Sequence, residues 1–241
     1  MYNSGMKRNR VKAHRRGQIK IASSNYSGSN ERCGDSCGWT GLPGGRFAVA
    51  LSDGMGKGET AARESGRAVN AILPLLKAEM DPEMALQVLN LLWSMSNRKE
   101  LFPSMDLALL DHAGSELVIY KIGAAPTVIV RAPRCRPDRT GSKPPERIEI
   151  LTAPAMPMGV SEYSEIPSIS TLVMPGDLII MMTDGVLDSQ RGDPDLFWLR
   201  RLLTRIKSRN LQTICDLIIR EAALNYGECE KDDMTVLVLR V

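Results

Sequence analysis

Several apolar runs in this chain stop abruptly at an aspartate. Residues 46–52 alternate Phe47, Val49 and Leu51 with Ala48, Ala50 and Ser52, so both faces are apolar and the pattern predicts a strand buried on two sides. Residues 18–25 read as an earlier strand. From Lys57 to about Ala78 the spacing turns helical, with small residues first (Ala61, Ala62, Ser65, Ala68) and bulkier ones after (Val69, Ile72, Leu73, Leu76). Such a helix is expected to lie close against a sheet, and Pro74 inside it is expected to kink or divide it. Asp81, Pro82 and Glu83 supply a cap, a first-turn proline and a first-turn acid for a second helix reaching about Asn97.

Two strands, 105–111 and 116–122, follow around a turn at His112–Ser115, with a third near 127–131, as in an antiparallel meander. Further strands are expected at 148–151, 169–173 and 177–183. Asp193-Pro194 opens another helix, Asn210 caps the next, Gly227 ends it, and a strand over 234–241 closes the chain. Strands, a helix pair, many strands, a second helix pair and one strand exclude regular βα alternation. The order predicts an α+β fold, antiparallel sheets with helices on their outer faces. The polar stretch 131–147, with six basic residues against two acidic ones, reads as a surface excursion ahead of a docking site for an acidic partner.

Length and composition narrow this further. At 241 residues the chain is long enough for one substantial core, and its apolar runs fall far short of a membrane span. Five scattered cysteines argue against a disulfide framework and fit a reducing cytoplasm. Cys33 and Cys37 have the look of half a zinc site, but no second pair completes it, and unpaired thiols are the favoured reading. The net charge is +3, yet seven lysines and arginines with no acid stand in the first twenty residues, which leaves −4 on the remainder. Residues 1–17 are therefore read as a basic, disordered leader and residues 18–241 as the folded domain. Binding of nucleic acid or anionic lipid by the leader is the weaker alternative.

Candidate chemistry lies where the apolar strands end. Asp53 follows FAVALS, Asp184 follows LIIMMT, Asp232 and Asp233 precede MTVLVLRV, and Asp35 sits in the turn CGDSCG. Carboxylates gathered at strand ends repel one another unless something positive neutralises them, and no lysine or arginine follows a matching pattern. A hard divalent cation is the better partner, and Asp-Gly adds an accessible carbonyl at Gly54. A single Asp-Gly would mean no more than a tight turn. The glycines of SDGMGKG meet neither the P-loop nor the dinucleotide spacing, and with only His14 and His112 there is little material for imidazole catalysis.

SDGMGKG, PSMDLALLD, YKIGAAPTVIV, PMGV, MMTDGVLD and DDMTVLVLRV, in unbroken order over about residues 18–241, resemble the stage II sporulation protein E type of bacterial serine phosphatase, within the metal-dependent type 2C superfamily. The resemblance implies a four-layer α/β/β/α sandwich and a binuclear Mn²⁺ or Mg²⁺ centre. Carried over by position, Asp53 would bridge both metals and Gly54 would offer its carbonyl. Asp184 and Asp232 would hold one metal, and Asp35 would reach the site directly or through water. Asp53, Asp184 and Asp232 would then be the catalytic set. Asp233 stands where many relatives carry asparagine, which leaves the choice between Asp232 and Asp233 open. A phosphate-gripping arginine of eukaryotic relatives is replaced by Asn30. The implied substrate is a phosphorylated STAS-type anti-sigma-factor antagonist in sporulation-type sigma factor control, in the cytoplasm, with no nucleic-acid partner and room for a homodimer. A non-catalytic docking module on the same fold is the alternative, and a hydrolase of small phosphoesters is a third reading.

Overall fold

The computed structural model describes residues 6–13 (backbone), 19–28, 31–96, 101–111, 115–133, 147–162, 165–190, 192–193 and 195–241. Eleven strands are assigned among them: β1 (Met6–Ala13), β2 (Lys20–Tyr26), β3 (Ser36–Gly41), β4 (Phe47–Ser52), β5 (Met105–Leu110), β6 (Glu116–Ile122), β7 (Thr127–Val130), β8 (Ile148–Leu151), β9 (Ser168–Leu172), β10 (Leu178–Met182) and β11 (Met234–Arg240). They form two sheets, ordered β1-β2-β11-β10-β7-β8 and β3-β4-β5-β6-β9, with every pairing antiparallel. The helices are α1 (Gly58–Lys77), α2 (Pro82–Met95), the single turn α3 (Asp184–Leu187), α4 (Phe197–Arg205) and α5 (Leu211–Asn225).

The period-two pattern explains the layering. Phe47, Val49 and Leu51 of β4 face inward with Ala108, Leu110, Leu117, Ile119, Ile179, Met181, Leu237 and Leu239, filling the space between the sheets. Ala48 and Ala50 face outward against Ala68, Val69 and Ile72 of α1 and Leu86 and Leu89 of α2. On the far side, Ile180, Val236 and Val238 pack against Leu199 and Leu203 of α4 and Ile214 and Ile218 of α5. This is the four-layer α/β/β/α sandwich, with a helix pair on each outer face.

Five details depart from the sequence reading. The third strand of the expected meander, β7, crosses to the other sheet, where it pairs with β10 and β8, and β9 takes the place beside β6. Residues 6–13, expected within a disordered leader, form β1 on the open edge of β2, with a register shift between Asn9 and Lys12; a polar, charged strand is tolerated at an edge. The strand β3 carries no apolar alternation to announce it, since SCGWTG is half-buried throughout. Pro74 does not divide α1, because it lies in the last turn, where the helix loses only one backbone bond. The helix α4 begins at Phe197, later than Asp193-Pro194, although the Asp193 carboxylate still accepts from the Trp198 N–H at 3.1 Å. The turn residues His112–Gly114 and most of the basic loop, 134–146, lie outside the described residues, as do Asn30 and His14.

Candidate metal centre

Each of the predicted acidic residues stands at a strand end on the same edge of the sandwich. Asp53 leaves β4, and its backbone is held by Ser104 at the start of β5: the Ser104 N–H donates to the Asp53 carbonyl at 2.8 Å, and the Asp53 N–H donates to Ser104 Oγ at 3.0 Å. Asp35 precedes β3, and Asp184 follows β10. The sheets thus contribute from opposite sides, Asp35 and Asp53 from one and Asp184, Asp232 and Asp233 from the other.

Asp53 is the hub. Asp35 and Asp184 both act on its carboxyl: burial first, then the Asp35 charge and the Asp184 carboxyl, drive its pKa far above the ordinary carboxylate range. Asp35 is 6% exposed and is also pushed up, chiefly by burial, against opposing hydrogen bonds from threonines. Thr183 Oγ1 donates to Asp35 Oδ2 at 2.9 Å and in turn accepts the Thr235 N–H at 2.9 Å, which ties Asp35 of one sheet to two strands of the other. The remaining oxygen, Asp35 Oδ1, is buried and meets no donor.

Asp232 and Asp233 separate clearly. Asp233 is 4% exposed and both its oxygens are occupied, Oδ1 by the Gly28 N–H at 2.8 Å and Oδ2 by the Gly34 N–H at 2.5 Å. Asp232 is half-buried, accepts only the Asp233 N–H among the described hydrogen bonds, and is pushed up by burial and by the Asp184 charge. It lines an open cleft of about 480 Å³ together with Lys57, Asp188, Tyr226, Glu230 and Lys231. Lys57 bridges that cleft to Glu230 at 2.5 Å.

The glycines of the loop divide as their backbones require. Gly56 (φ 92°) and Gly58 (φ 74°) turn the chain into α1, whereas Gly54 is needed because a Cβ there would sit 2.2 Å from the Ala61 carbonyl oxygen. The loop is therefore pressed against the first turn of the helix.

These residues fit a divalent cation. Mutually repelling carboxylates and a buried oxygen without a donor ask for positive charge, and the donor set is all oxygen. Among the described residues no three acidic, histidine or cysteine side chains close into a ready-made cage. Asp53 instead meets its neighbours in pairs while Asp184 stands exposed, as suits a hard ion that keeps part of its water shell. Burial drives the Cys33 and Cys37 thiols upward.

One buried charged pair beside the site was not anticipated. Lys121 of β6 and Asp106 of β5 are direct cross-strand partners, and Asp106 lines a small cavity together with Asp53, Ser104, Gly123–Ala125 and Asp184. The signal was available in the alternation, since Asp106 shares the inward face with Ala108 and Leu110, and Lys121 shares it with Leu117 and Ile119.

Comparison with known proteins bears on the family and the fold. The profile of the stage II sporulation protein E (SpoIIE) family matches residues 43–241. Stage II sporulation protein E of Priestia megaterium is 29% identical over 209 residues, covering 86% of this chain and 34% of the relative. That of Bacillus subtilis (strain 168) is 28% identical over 210 residues, covering 86% of this chain and 24% of the relative. This chain thus spans about a third or less of these relatives. A structure of the PP2C phosphatase domain with a fragment of the regulatory domain of SpoIIE from Bacillus subtilis superposes with a TM-score of 0.78 at 25% identity, over 92% of this chain and 63% of that one. RsbX in complex with magnesium shares the fold, with a TM-score of 0.67 at 15% identity, over 96% of this chain and 98% of that one. With its strand-end aspartates gathered on the sandwich edge of a PP2C-type serine/threonine phosphatase fold, the chain belongs to the stage II sporulation protein E family.

Proposed function

We propose that the chain is a Mn²⁺- or Mg²⁺-dependent protein phosphatase that removes phosphate from serine or threonine of a signalling protein. The observation that carries this reading is the convergence on Asp53 of Asp35 and Asp184, carboxylates brought from two different sheets, beside an open cleft. Asp53, Asp184 and Asp232 would hold the ions, with Gly54 offering its carbonyl and Asp35 completing the set. Asp233 holds the backbone behind them. Two bound ions supply a water acidic enough to act as hydroxide near neutral pH and stabilise in-line displacement at phosphorus. The protein's own part is to hold the carboxylates in place and to present the phosphorylated segment along the cleft beside Asp232, which Lys57 and Lys231 also line.

Family membership supports a phosphorylated STAS-type anti-sigma-factor antagonist as substrate, and with it a role in sporulation-type sigma factor activation in the cytoplasm. No helix among the described residues is long and apolar enough to cross a membrane.

The test is release of inorganic phosphate from a phosphoserine STAS protein and from p-nitrophenyl phosphate, with Mn²⁺ and with chelator. Mn²⁺-dependent release from the protein substrate is expected, and Asp184→Asn is expected to abolish it while thermal unfolding stays close to wild type. Full activity of that variant overturns the assignment. Binding of the STAS protein without turnover would favour a docking module, and turnover of the small ester alone a general phosphoesterase.

A further inference from the structure

Lys121 is fully buried, at 0% exposure, and its ammonium has three hydrogen-bond donors, all of them used. Nζ donates to Asp106 Oδ2 at 2.8 Å, to Thr127 Oγ1 at 2.9 Å and to the Ala125 carbonyl at 2.6 Å. Thr127 Oγ1 also donates to Asp106 Oδ2, at 3.1 Å. Asp106 and Lys121 belong to one sheet and Thr127 to the other, so the cluster joins the sheets directly beneath the aspartates.

A buried ion pair of this kind adds little net stability compared with apolar residues of the same shape, because two charges must be stripped of water. Its presence calls for another reason. The Ala125 carbonyl belongs to the link from β6 to β7, and Gly123, Ala124 and Ala125 form a wall of the cavity that holds Asp53 and Asp184. That wall is also fixed from outside: a Cβ on Gly123 (φ 60°) would meet Pro157 Cα at 2.7 Å. Asp106 faces the same cavity, with its Oδ1 buried and without a donor. Burial raises the Asp106 carboxyl and Lys121 opposes that rise. The lysine therefore holds the wall through the Ala125 carbonyl and balances the Asp106 carboxylate.

We infer that Lys121, with Asp106, is a positioning residue for the phosphatase reaction: it clamps the 123–125 wall of the cavity that Asp53 and Asp184 line, and so fixes the setting of those two carboxylates. This rests on the proposed phosphatase reading, and its test is built to separate the two. In the full chain, Lys121→Met keeps an unbranched side chain as far as its ε-carbon and removes the charge and all three donors. Amide exchange at residues 123–125 is expected to quicken about tenfold or more, and kcat for a phosphoserine peptide with Mn²⁺ to fall roughly 10- to 100-fold, the scale of a small misplacement. Both are read well below the variant's own thermal midpoint, which the stranded Asp106 carboxylate is expected to lower.

A merely structural lysine would leave kcat of the folded fraction alone, however far the midpoint falls. Wild-type kcat in the folded variant, with or without a looser wall, overturns the inference. If Lys121→Met does not fold, Asp106→Asn/Lys121→Met, which leaves no buried charge, decides on the same readouts. An inactive wild-type chain overturns the phosphatase reading alone, and the clamp is then judged by amide exchange: unchanged protection at 123–125 overturns it, faster exchange supports it.

Discussion

At Asp233 two backbone N–H groups, from Gly28 and Gly34, occupy the carboxylate, whereas Asp232 next to it faces the cleft with most of its capacity open. Charge-assisted bonds to backbone amides are strong, and deleting their acceptor leaves buried donors unmet. Asp233→Ala is therefore expected to lower stability by about 2–4 kcal/mol, read from urea unfolding in chelator. Asp232→Asn, by contrast, is expected to unfold close to wild type and to lose Mn²⁺-dependent turnover. The aspartates themselves were legible in the sequence, because each ends or begins an apolar strand. The division of labour within the Asp232–Asp233 pair was not. It depends on where residues some 200 positions earlier in the chain present their amides. Lys121 was legible only in principle, since a lysine in an alternating strand normally marks the wet face, and here the register turns it inward.

Among the elements, those with strong periodicity were readable from the sequence: β4, α1, α2, β5, β6, β7 and β11. Their pairing was not, because β7 leaves the β5–β6 hairpin and joins β10 and β8 in the other sheet. The strand β3 was not, because its residues are chosen for closeness to α1 and not for apolar alternation. Its partner β4, with Ser36 opposite Ser52, supplies the buried surface. The same demand for closeness governs the join between loop and helix. A Cβ at Gly54 would collide with the Ala61 carbonyl, so Gly54→Ala must push the metal loop and the first turn of α1 apart. A loss of about 1–3 kcal/mol is expected from such overpacking, measured by urea unfolding. A second expected sign is weaker Mn²⁺ affinity by titration calorimetry, because Asp53 rides on that loop. Wild-type affinity would show that loop and helix move independently.

The whole molecule is a pair of sheets held together at both ends by a buried cation. Lys121 does this under the site, and Arg131 does it at the opposite pole, where its guanidinium meets Asp177 at 3.0 Å and Glu149 at 2.5 Å and reaches across to the Leu172 carbonyl and Thr171 of the other sheet. With Asp177 only 1% exposed, Arg131→Met would strand a buried charge at a cost of about 3–5 kcal/mol, read from denaturant unfolding. At temperatures where the variant stays folded, kcat is expected to match wild type, since the aspartates lie at the other pole. Because Asp35 and Asp53 hang from one sheet and Asp184 and Asp232 from the other, the candidate site is a seam, and its dimensions are those of the gap between two slabs. Metal affinity would then act as a gauge of shear. Any ligand or partner that slid one sheet along the other by an ångström would be felt as a change in the Asp53–Asp184 spacing, without touching either residue.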